Sequence, residues 1–180
     1  ARIVQSIRSG IAGHWKLGYE TQHQLQLHAQ KDQKLRVEVQ TVDGEGVQVT
    51  YSDASWSVSL ESGKTKEVCV YAKHGRANRP IIIRLVDDAS GVVVERCELT
   101  DDERGVVLNA EQPWVVGIGR SPMRLDSVAL RSVRGNQGDY TSVELSSIDD
   151  LPISNRGWRG VDLLVFSSGN LEILQHISQE

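Results

Sequence analysis

Hydrophobic and polar residues alternate along most of the first hundred positions of the chain. Leu25 and Leu27 alternate with the polar residues Gln24, Gln26 and His28, and Val37 and Val39 are separated by a glutamate. A period of two points successive side chains to opposite faces, which is typical of antiparallel strands with one buried face. We therefore predict about eight strands, over residues 3–7, 22–30, 35–40, 47–51, 55–60, 66–73, 80–86 and 91–99.

Short turns rich in glycine and aspartate connect these segments. Asp43 and Gly44 lie between two of them, and glycine accepts the positive φ that tight hairpin turns require. Strands that recur every 8–12 residues or so favour a sandwich over alternating strand–helix units. The pattern predicts an antiparallel, immunoglobulin-like β-sandwich over residues 1–104, without a helix longer than two turns. Its predicted core contains Leu25, Leu27, Val37, Val39, Val49, Val58, Val70, Ile83 and Val94.

The pattern changes after a polar hinge at residues 99–105. A continuous apolar run follows, which is typical of a buried parallel strand. Ser121 and Pro122 are residues that often begin a helix, as cap and first-turn residue. The predicted elements are strands over residues 114–119, 141–148 and 161–166, with a helix over residues 121–134. This order predicts the first part of a flavodoxin-like α/β segment with parallel strands over residues 105–180.

The three parallel strands have a predicted order in the sheet. A right-handed crossover makes the first two strands neighbours, and the third then lies on the other side of the first. This arrangement brings Gly119 and Ser167 to the same carboxyl edge. Because a parallel sheet needs cover on both faces, we expect the natural protein to continue beyond Glu180. We expect the open flank to self-associate or to pack on the sandwich.

Charge and hydropathy argue against two classes of direct partner. Residues 1–76 contain ten Lys or Arg and eight Asp or Glu, and residues 77–180 contain ten and sixteen. Neither part has the basic excess that favours nucleic acid, so no nucleic-acid partner is predicted. No apolar run approaches the ~18 residues of a membrane helix. Ala1 leads directly into strand-like sequence without a signal peptide, as a mature exported chain would, so we expect membrane attachment only through segments absent from this chain.

Cysteine and histidine form no recognisable catalytic or metal motif. Cys69 and Cys97 have no second Cys or His at the short spacing that zinc sites use. Two buried free thiols are the main expectation, and a disulfide in an exported protein is the alternative. His23 and His28 are five residues apart, so a regular strand would place them on opposite faces. We therefore predict no metal, no cofactor and no catalytic residue within the chain.

A glycine-containing turn is the first candidate ligand-binding site. Gly117, Gly119, Arg120 and Ser121 join a strand to a helix N-terminus, where backbone amides and the helix dipole favour an anion. The turn lacks the third glycine of the dinucleotide fingerprint, and it lacks the Gly-Lys-Ser/Thr of a phosphate-binding loop. A tight turn without a ligand is therefore the alternative, and no small-molecule ligand is identified.

Four stretches of the chain resemble one group of exported bacterial proteins. They are residues 14–21 (HWKLGYET), 43–47 (DGEGV), 70–76 (VYAKHGR), and Leu151-Pro152 leading to 158–165 (WRGVDLLV). The chain resembles large proteins that pair an immunoglobulin-like domain with a class I glutamine amidotransferase-like domain and are usually anchored in a membrane. The resemblance implies an extracytoplasmic location, in the periplasm or at the cell surface, with membrane anchoring in the full-length protein.

The resemblance also indicates where amidotransferase chemistry would lie. In that class, a glycine-rich turn after a comparable strand supplies backbone donors for an oxyanion. Here that turn contains Ser167 and Gly169, with one glycine where two are common. The nucleophilic cysteine and its histidine come later in those enzymes, whereas Cys69 and Cys97 precede the α/β segment. The resemblance therefore implies a fold rather than an activity.

Three hypotheses about function follow. The first is a non-catalytic ectodomain fragment of a larger exported, membrane-associated protein, which serves as a spacer or protein-interaction module with protein partners or self-association. The second is part of an enzyme whose amidotransferase-like site is completed by residues beyond this chain. The third is a carbohydrate-binding β-sandwich, which an exposed Trp15 or Trp56 would favour.

Overall fold

A computed structural model describes residues 2–119, 125 and 140–167, and the chain it shows is mainly β. A single helical turn, α1 (Asp101–Arg104), follows the antiparallel strands, and 3₁₀ turns cover Ile148–Asp150 and Asn155–Trp158. The strands are β1 (Val4–Ser9), β2 (His14–Lys16), β3 (Glu20–His28), β4 (Gln33–Val42), β5 (Gln48–Leu60), β6 (Thr65–Lys73), β7 (Ile82–Asp87), β8 (Val93–Glu98), β9 (Val106–Leu108), β10 (Trp114–Ile118), β11 (Thr141–Leu145) and β12 (Leu163–Phe166).

Two antiparallel sheets contain most of the residues before α1. One has the strand order β1-β3-β6, and the other has the order β5-β4-β7-β8. Alternate residues of both sheets contribute to one hydrophobic core, as the period of two in the sequence requires. Seven of the nine predicted core residues are buried, and this confirms the register of β3, β4, β6 and β7: Leu25, Leu27, Val37, Val39, Val58, Val70 and Ile83.

The predictions for the other two core residues, Val94 and Val49, are wrong. Val94 is 45% exposed because Cys97 lies on the inward face of β8, and a separation of three positions puts Val94 on the opposite, outer face. Val49 is only half-buried, since none of the residues in the first half of edge strand β5 has a buried side chain. Both errors fall on edge strands, where hydrophobic runs do not have to face the core.

Two segments predicted as separate strands form one long strand, β5. Arg36 pairs with Ser57 and Glu38 pairs with Ser52, so several residues of β5 lie opposite Val37 alone. This irregularity bends the strand without ending it. At the bend, the Asp53 carboxylate accepts hydrogen bonds from the backbone amide and the hydroxyl of Ser55.

A short parallel pair, β2 with β9, was not predicted. It brings the chain after α1 back against the region between β1 and β3. The indole of Trp15, on β2, is buried and donates a hydrogen bond of 2.7 Å to the backbone carbonyl of Arg104. This contact fixes the end of α1 on the antiparallel sheets.

The remaining strands form a parallel sheet with the order β11-β10-β12. β10 pairs in parallel with β11 and with β12, so the predicted pairing and strand order are confirmed. The strands are shorter than predicted, since β11 ends at Leu145, before the 3₁₀ turn that begins at Ile148, and β12 begins at Leu163 instead of residue 161. The helix predicted over residues 121–134 lies outside the described residues, apart from Leu125, which is buried.

A second hydrophobic core joins the parallel sheet to the preceding part of the chain. Ile11 and Leu108, from before the sheet, pack with Trp114 and Val116 of β10. One face of the sheet is therefore partly covered by the N-terminal part. Of the two expected arrangements, self-association of the open flank or packing against the N-terminal part, this contact corresponds to the second. Among the helices of residues 2–119, 125 and 140–167, none is long and apolar enough to cross a membrane.

The two valines with opposite environments provide a test of the register. Val39 is fully buried in the shared core, so Val39→Asp should lower the free energy of unfolding by several kcal/mol, as expected for an unpaired buried charge. Val94→Asp, on the outer face of β8, should change it by no more than about 0.5 kcal/mol. Urea denaturation followed by circular dichroism measures both, and equal effects would contradict the register.

Candidate functional site

The carboxyl edge of the parallel sheet holds the part of the predicted ligand site that the structure describes. Gly117 lies within β10, paired with Glu144 on one side and Val165 on the other. Gly119 follows β10 with φ of +137°, and a Cβ there would approach the Ser167 side chain and carbonyl to 2.8 Å. Only glycine combines this φ with this close approach. The predicted proximity of Gly119 and Ser167 is confirmed.

Backbone hydrogen bonds complete this edge. Gly119 donates to the carbonyl of Leu145 at 3.0 Å, and Ser167 donates to the carbonyl of Ile118 at 2.9 Å. These amides therefore continue the sheet. The other predicted site residues, Arg120, Ser121 and Gly169, lie outside the described residues.

Strand β12 exposes most of its hydrophobic side chains. Leu163, Leu164 and Phe166 are 43%, 38% and 47% exposed, although all three belong to a sheet strand. Because successive side chains of a strand point to opposite faces, apolar surface is exposed on both sides of β12. Within the described part of the chain, β12 is also an outer strand of its sheet.

A partly buried ion pair connects the parallel sheet to β2. The side chain of Lys16 is only 2% exposed, whereas that of Asp162 is 51% exposed, and Nζ of Lys16 donates to Oδ2 of Asp162. The same carboxylate oxygen accepts a hydrogen bond of 2.8 Å from the backbone amide of Trp114. A buried ammonium requires a charged partner, so this contact fixes the starts of β10 and β12 against the N-terminal part.

A second polar contact joins the 3₁₀ turn at residues 155–158 to β3. Arg156 donates to Oε1 of Glu20 at 3.0 and 2.6 Å, and Arg159 lies 2.8 Å from Oε2 as an ion pair. The Arg156 guanidinium also lies 4.8 Å from the centre of the Tyr71 ring. With these contacts, the parallel sheet is attached to β3 and β6 as well as to β2.

The two cysteines are free thiols, as expected, but only Cys97 is buried, whereas Cys69 is half-buried. Burial raises the pKa of the Cys69 thiol to about 11. Burial also raises the pKa of Cys97, although hydrogen bonding to Arg2 offsets part of this rise. The thiolate is the nucleophilic form of cysteine, so neither thiol has the environment of an activated nucleophile.

Two histidines that are far apart in the sequence lie in contact in the core. His23 on β3 and His74 after β6 are fully buried, and their Nε2 atoms lie 2.8 Å apart. His23 Nδ1 lies 2.9 Å from the hydroxyl of Ser9, and His74 Nδ1 lies 3.0 Å from the hydroxyl of Thr41. The Ser9 hydroxyl donates to the backbone carbonyl of Glu103 at 2.7 Å.

These contacts fix the protons of the histidine pair. Since the Ser9 hydroxyl donates to a carbonyl, its oxygen accepts from Nδ1–H of His23. His23 Nε2 is then an acceptor for Nε2–H of His74, and His74 Nδ1 accepts from the Thr41 hydroxyl. All four groups are satisfied with both imidazoles neutral. Burial lowers the pKa of His23 to about 4, and burial, His23 and Arg104 lower the pKa of His74.

Only His23 has a local sequence pattern that indicates its burial. Its position is two residues before Leu25 in an alternating strand, which places it on the buried face. His74 follows a strand end and is 51 residues away in the chain, so no local pattern indicates the contact. Within the described ranges, no cluster of three or more His, Cys, Asp or Glu side chains could hold a metal ion. Trp15 and Trp56 are both buried.

Alkylation kinetics test the state of the thiols. With a pKa near 11, Cys69 at pH 8 has a thiolate fraction roughly 100-fold lower than free cysteine, whose pKa is about 8.5. Iodoacetamide should therefore modify Cys69 at least about tenfold more slowly than free cysteine, as measured by peptide mass spectrometry over time. Modification as fast as that of free cysteine would contradict an inert thiol.

Comparison with known proteins shows a family and a distant structural likeness. The chain matches no curated protein sequence. Its structure is similar to Pseudomonas fluorescens alkylpurine DNA glycosylase AlkC bound to DNA containing an abasic site analog, with a TM-score of 0.33 and 16% identity. That likeness covers 55% of this chain and only 30% of the glycosylase chain. Residues 2–100, more than half of the 180, match the profile of a domain of unknown function. The chain therefore belongs to the family of domain of unknown function DUF8726.

Proposed function

We propose that the chain is a non-catalytic module of a larger exported, membrane-associated protein, and that it acts by self-association through β12. The observation that carries this proposal is the exposure of Leu163, Leu164 and Phe166 on a strand that is outermost among the described strands of its sheet. The proposed architecture has an immunoglobulin-like sandwich over residues 1–104 as the spacer. The first part of a flavodoxin-like, amidotransferase-like segment over residues 105–180 then supplies the contact.

The strand arrangement supports this architecture. Three and four antiparallel strands around one core fit the strand number of an immunoglobulin-like sandwich. The order β11-β10-β12 fits the beginning of a flavodoxin-like sheet, in which the first strand lies between the second and the third. The extracytoplasmic location rests on the sequence resemblance.

The sequence of β12 favours pairing with an identical strand. Natural edge strands usually carry lysine, proline or a bulge that prevents association, whereas β12 reads Leu-Leu-Val-Phe. If two copies pair antiparallel about a twofold axis, the outer backbone edge of β12 in one copy would form hydrogen bonds with the same edge in the other. Such pairing brings no like charges together and covers the exposed side chains of both copies.

The polar contacts at the base of the sheet support the role of a spacer. Lys16 with Asp162 and Glu20 with Arg156 link two different strands of the N-terminal part to the parallel sheet. Because several separate contacts hold the parallel sheet, the surface on β12 has a fixed orientation relative to the N-terminal part. Partly buried pairs such as these are screened less by salt than exposed ones.

The enzymatic alternative requires residues outside the chain. Both thiols lie in the antiparallel sheets and have raised pKa values. Gly119 and Ser167 use their backbone amides within the sheet. The carbohydrate-binding alternative depended on an exposed Trp15 or Trp56, and both are buried.

Sedimentation velocity between 5 and 200 μM tests self-association. We expect a dimer that forms as concentration rises. Leu164→Lys combined with Phe166→Lys should shift the protein to monomer over the whole range, because the added charges repel across the twofold axis. Val92→Lys is the matched control, since Val92 is 59% exposed and distant from β12 in the chain. A native chain that stays monomeric, or a dimer that survives the double substitution, would overturn the proposal.

A glutaminase assay tests the proposal of a non-catalytic chain. The purified protein should release no ammonia from glutamine above a heat-denatured control, since neither thiol is an activated nucleophile. Ammonia release that is abolished by Cys69→Ser or Cys97→Ser would show that the chain is itself an enzyme.

A further inference from the structure

We propose that the buried His23–His74 pair is an acid-sensitive latch, which holds α1 on the antiparallel sheets at neutral pH and releases it on acidification. This inference is independent of β12 and of self-association. It rests on the hydrogen-bonded series that runs from Thr41 through His74, His23 and Ser9 to the carbonyl of Glu103.

The series crosses the whole N-terminal core. Thr41 belongs to β4 in one sheet, His23 and Ser9 belong to β3 and β1 in the other, and Glu103 belongs to α1. Two further contacts act on the same region: the ring of Trp15 meets His74 edge-on at 5.0 Å, and its indole donates to the carbonyl of Arg104. The pair therefore links both sheets to the turn that leads into β9.

The proton assignment makes this link sensitive to charge. One added proton can be accommodated if His74 accepts from His23 and the Thr41 hydroxyl turns to become an acceptor. A second proton puts two N–H donors opposite each other across 2.8 Å, with no acceptor between them. The doubly protonated pair must separate, and its separation breaks the series that ends on Glu103.

Among the described residues, the side chains in polar or ring contact with the pair carry no negative charge that would compensate for added protons. They are the Ser9 and Thr41 hydroxyls and the ring of Trp15. Arg104, beyond the end of the series, is the charged group that acts on His74, and it disfavours protonation. The carboxylate of Glu103 accepts from the amide of Thr100 and faces Arg2.

Each end of the series borders a cavity. Thr41 belongs to the lining of a cavity of about 340 Å³, together with Gln40, Gln48 and Arg96. Ser9 belongs to the lining of a smaller cavity of about 50 Å³. Both residues are themselves buried.

The pH range follows from the direction of the shifts. The pKa of each imidazole is lower in the folded chain than its ordinary value of 6.5, so the unfolded or released state binds more protons. The latch is fully stabilising above about pH 6.5 and weakens as the pH falls towards 4. Each histidine increases the equilibrium constant for release by up to about tenfold per pH unit in that range.

Nuclear magnetic resonance with ¹⁵N labelling provides the first test and needs no substitution. At pH 7.5, His23 should be protonated on Nδ1 and His74 on Nε2, both neutral. Between pH 7 and 5, the protection factors of the Trp15 indole N–H and the Gly105 amide, which are the intrinsic exchange rates divided by the observed ones, should fall. The amide of Val39 should stay protected. Unchanged protection at both positions, or a charged pair at pH 7.5, would overturn the proposal.

Substitution provides the second test. His74→Gln keeps a donor for His23 but removes one titrating group. A plot of the logarithm of the unfolding constant against pH should therefore be less steep, by about one unit per pH unit, between pH 6 and 5. His28→Gln is the matched control, because His28 is also on β3 and near a threonine hydroxyl. An identical acid response of native chain and His74→Gln would overturn the latch. If His74→Gln does not fold, the labelled native chain decides the question.

Discussion

The fold depends on one constraint, which is that both antiparallel sheets must bury one face in the same core. Residues such as Leu25 and Val39 meet this requirement with apolar side chains. His23 lies in the same buried row, where an unpaired imidazole would be costly. His74 and Ser9 satisfy its two nitrogens, so the burial constraint itself explains why a polar series crosses the core.

The connection between the two parts of the chain follows from the same requirement. The parallel sheet leaves apolar surface that its own strands cannot cover, and Ile11 and Leu108 cover part of it. Burial of the stem of Lys16 in this contact then requires Asp162 as a partner. The surface that remains exposed is concentrated on β12, which is why the proposed function is assigned to that strand.

The extent of prediction from sequence differs between local and non-local features. Alternation around Leu25 and Val39 identified β3 and β4, because period two is a property of neighbouring residues. The run at β10 likewise predicted a parallel strand. The prediction that Val94 lies in the core is wrong, because an edge strand tolerates hydrophobic residues on its outer face. The pairs β2 with β9 and His23 with His74 were missed, since each depends on residues far apart in the chain.

In the proposed dimer, β12 is the contact surface between copies of the chain. Hydrogen–deuterium exchange of residues 163–166, measured at 5 and at 200 μM protein, tests this contact. These backbone amides should become protected at the higher concentration, while the amides of edge strand β8 keep the same exchange rates. Exchange at residues 163–166 that does not depend on concentration would contradict it.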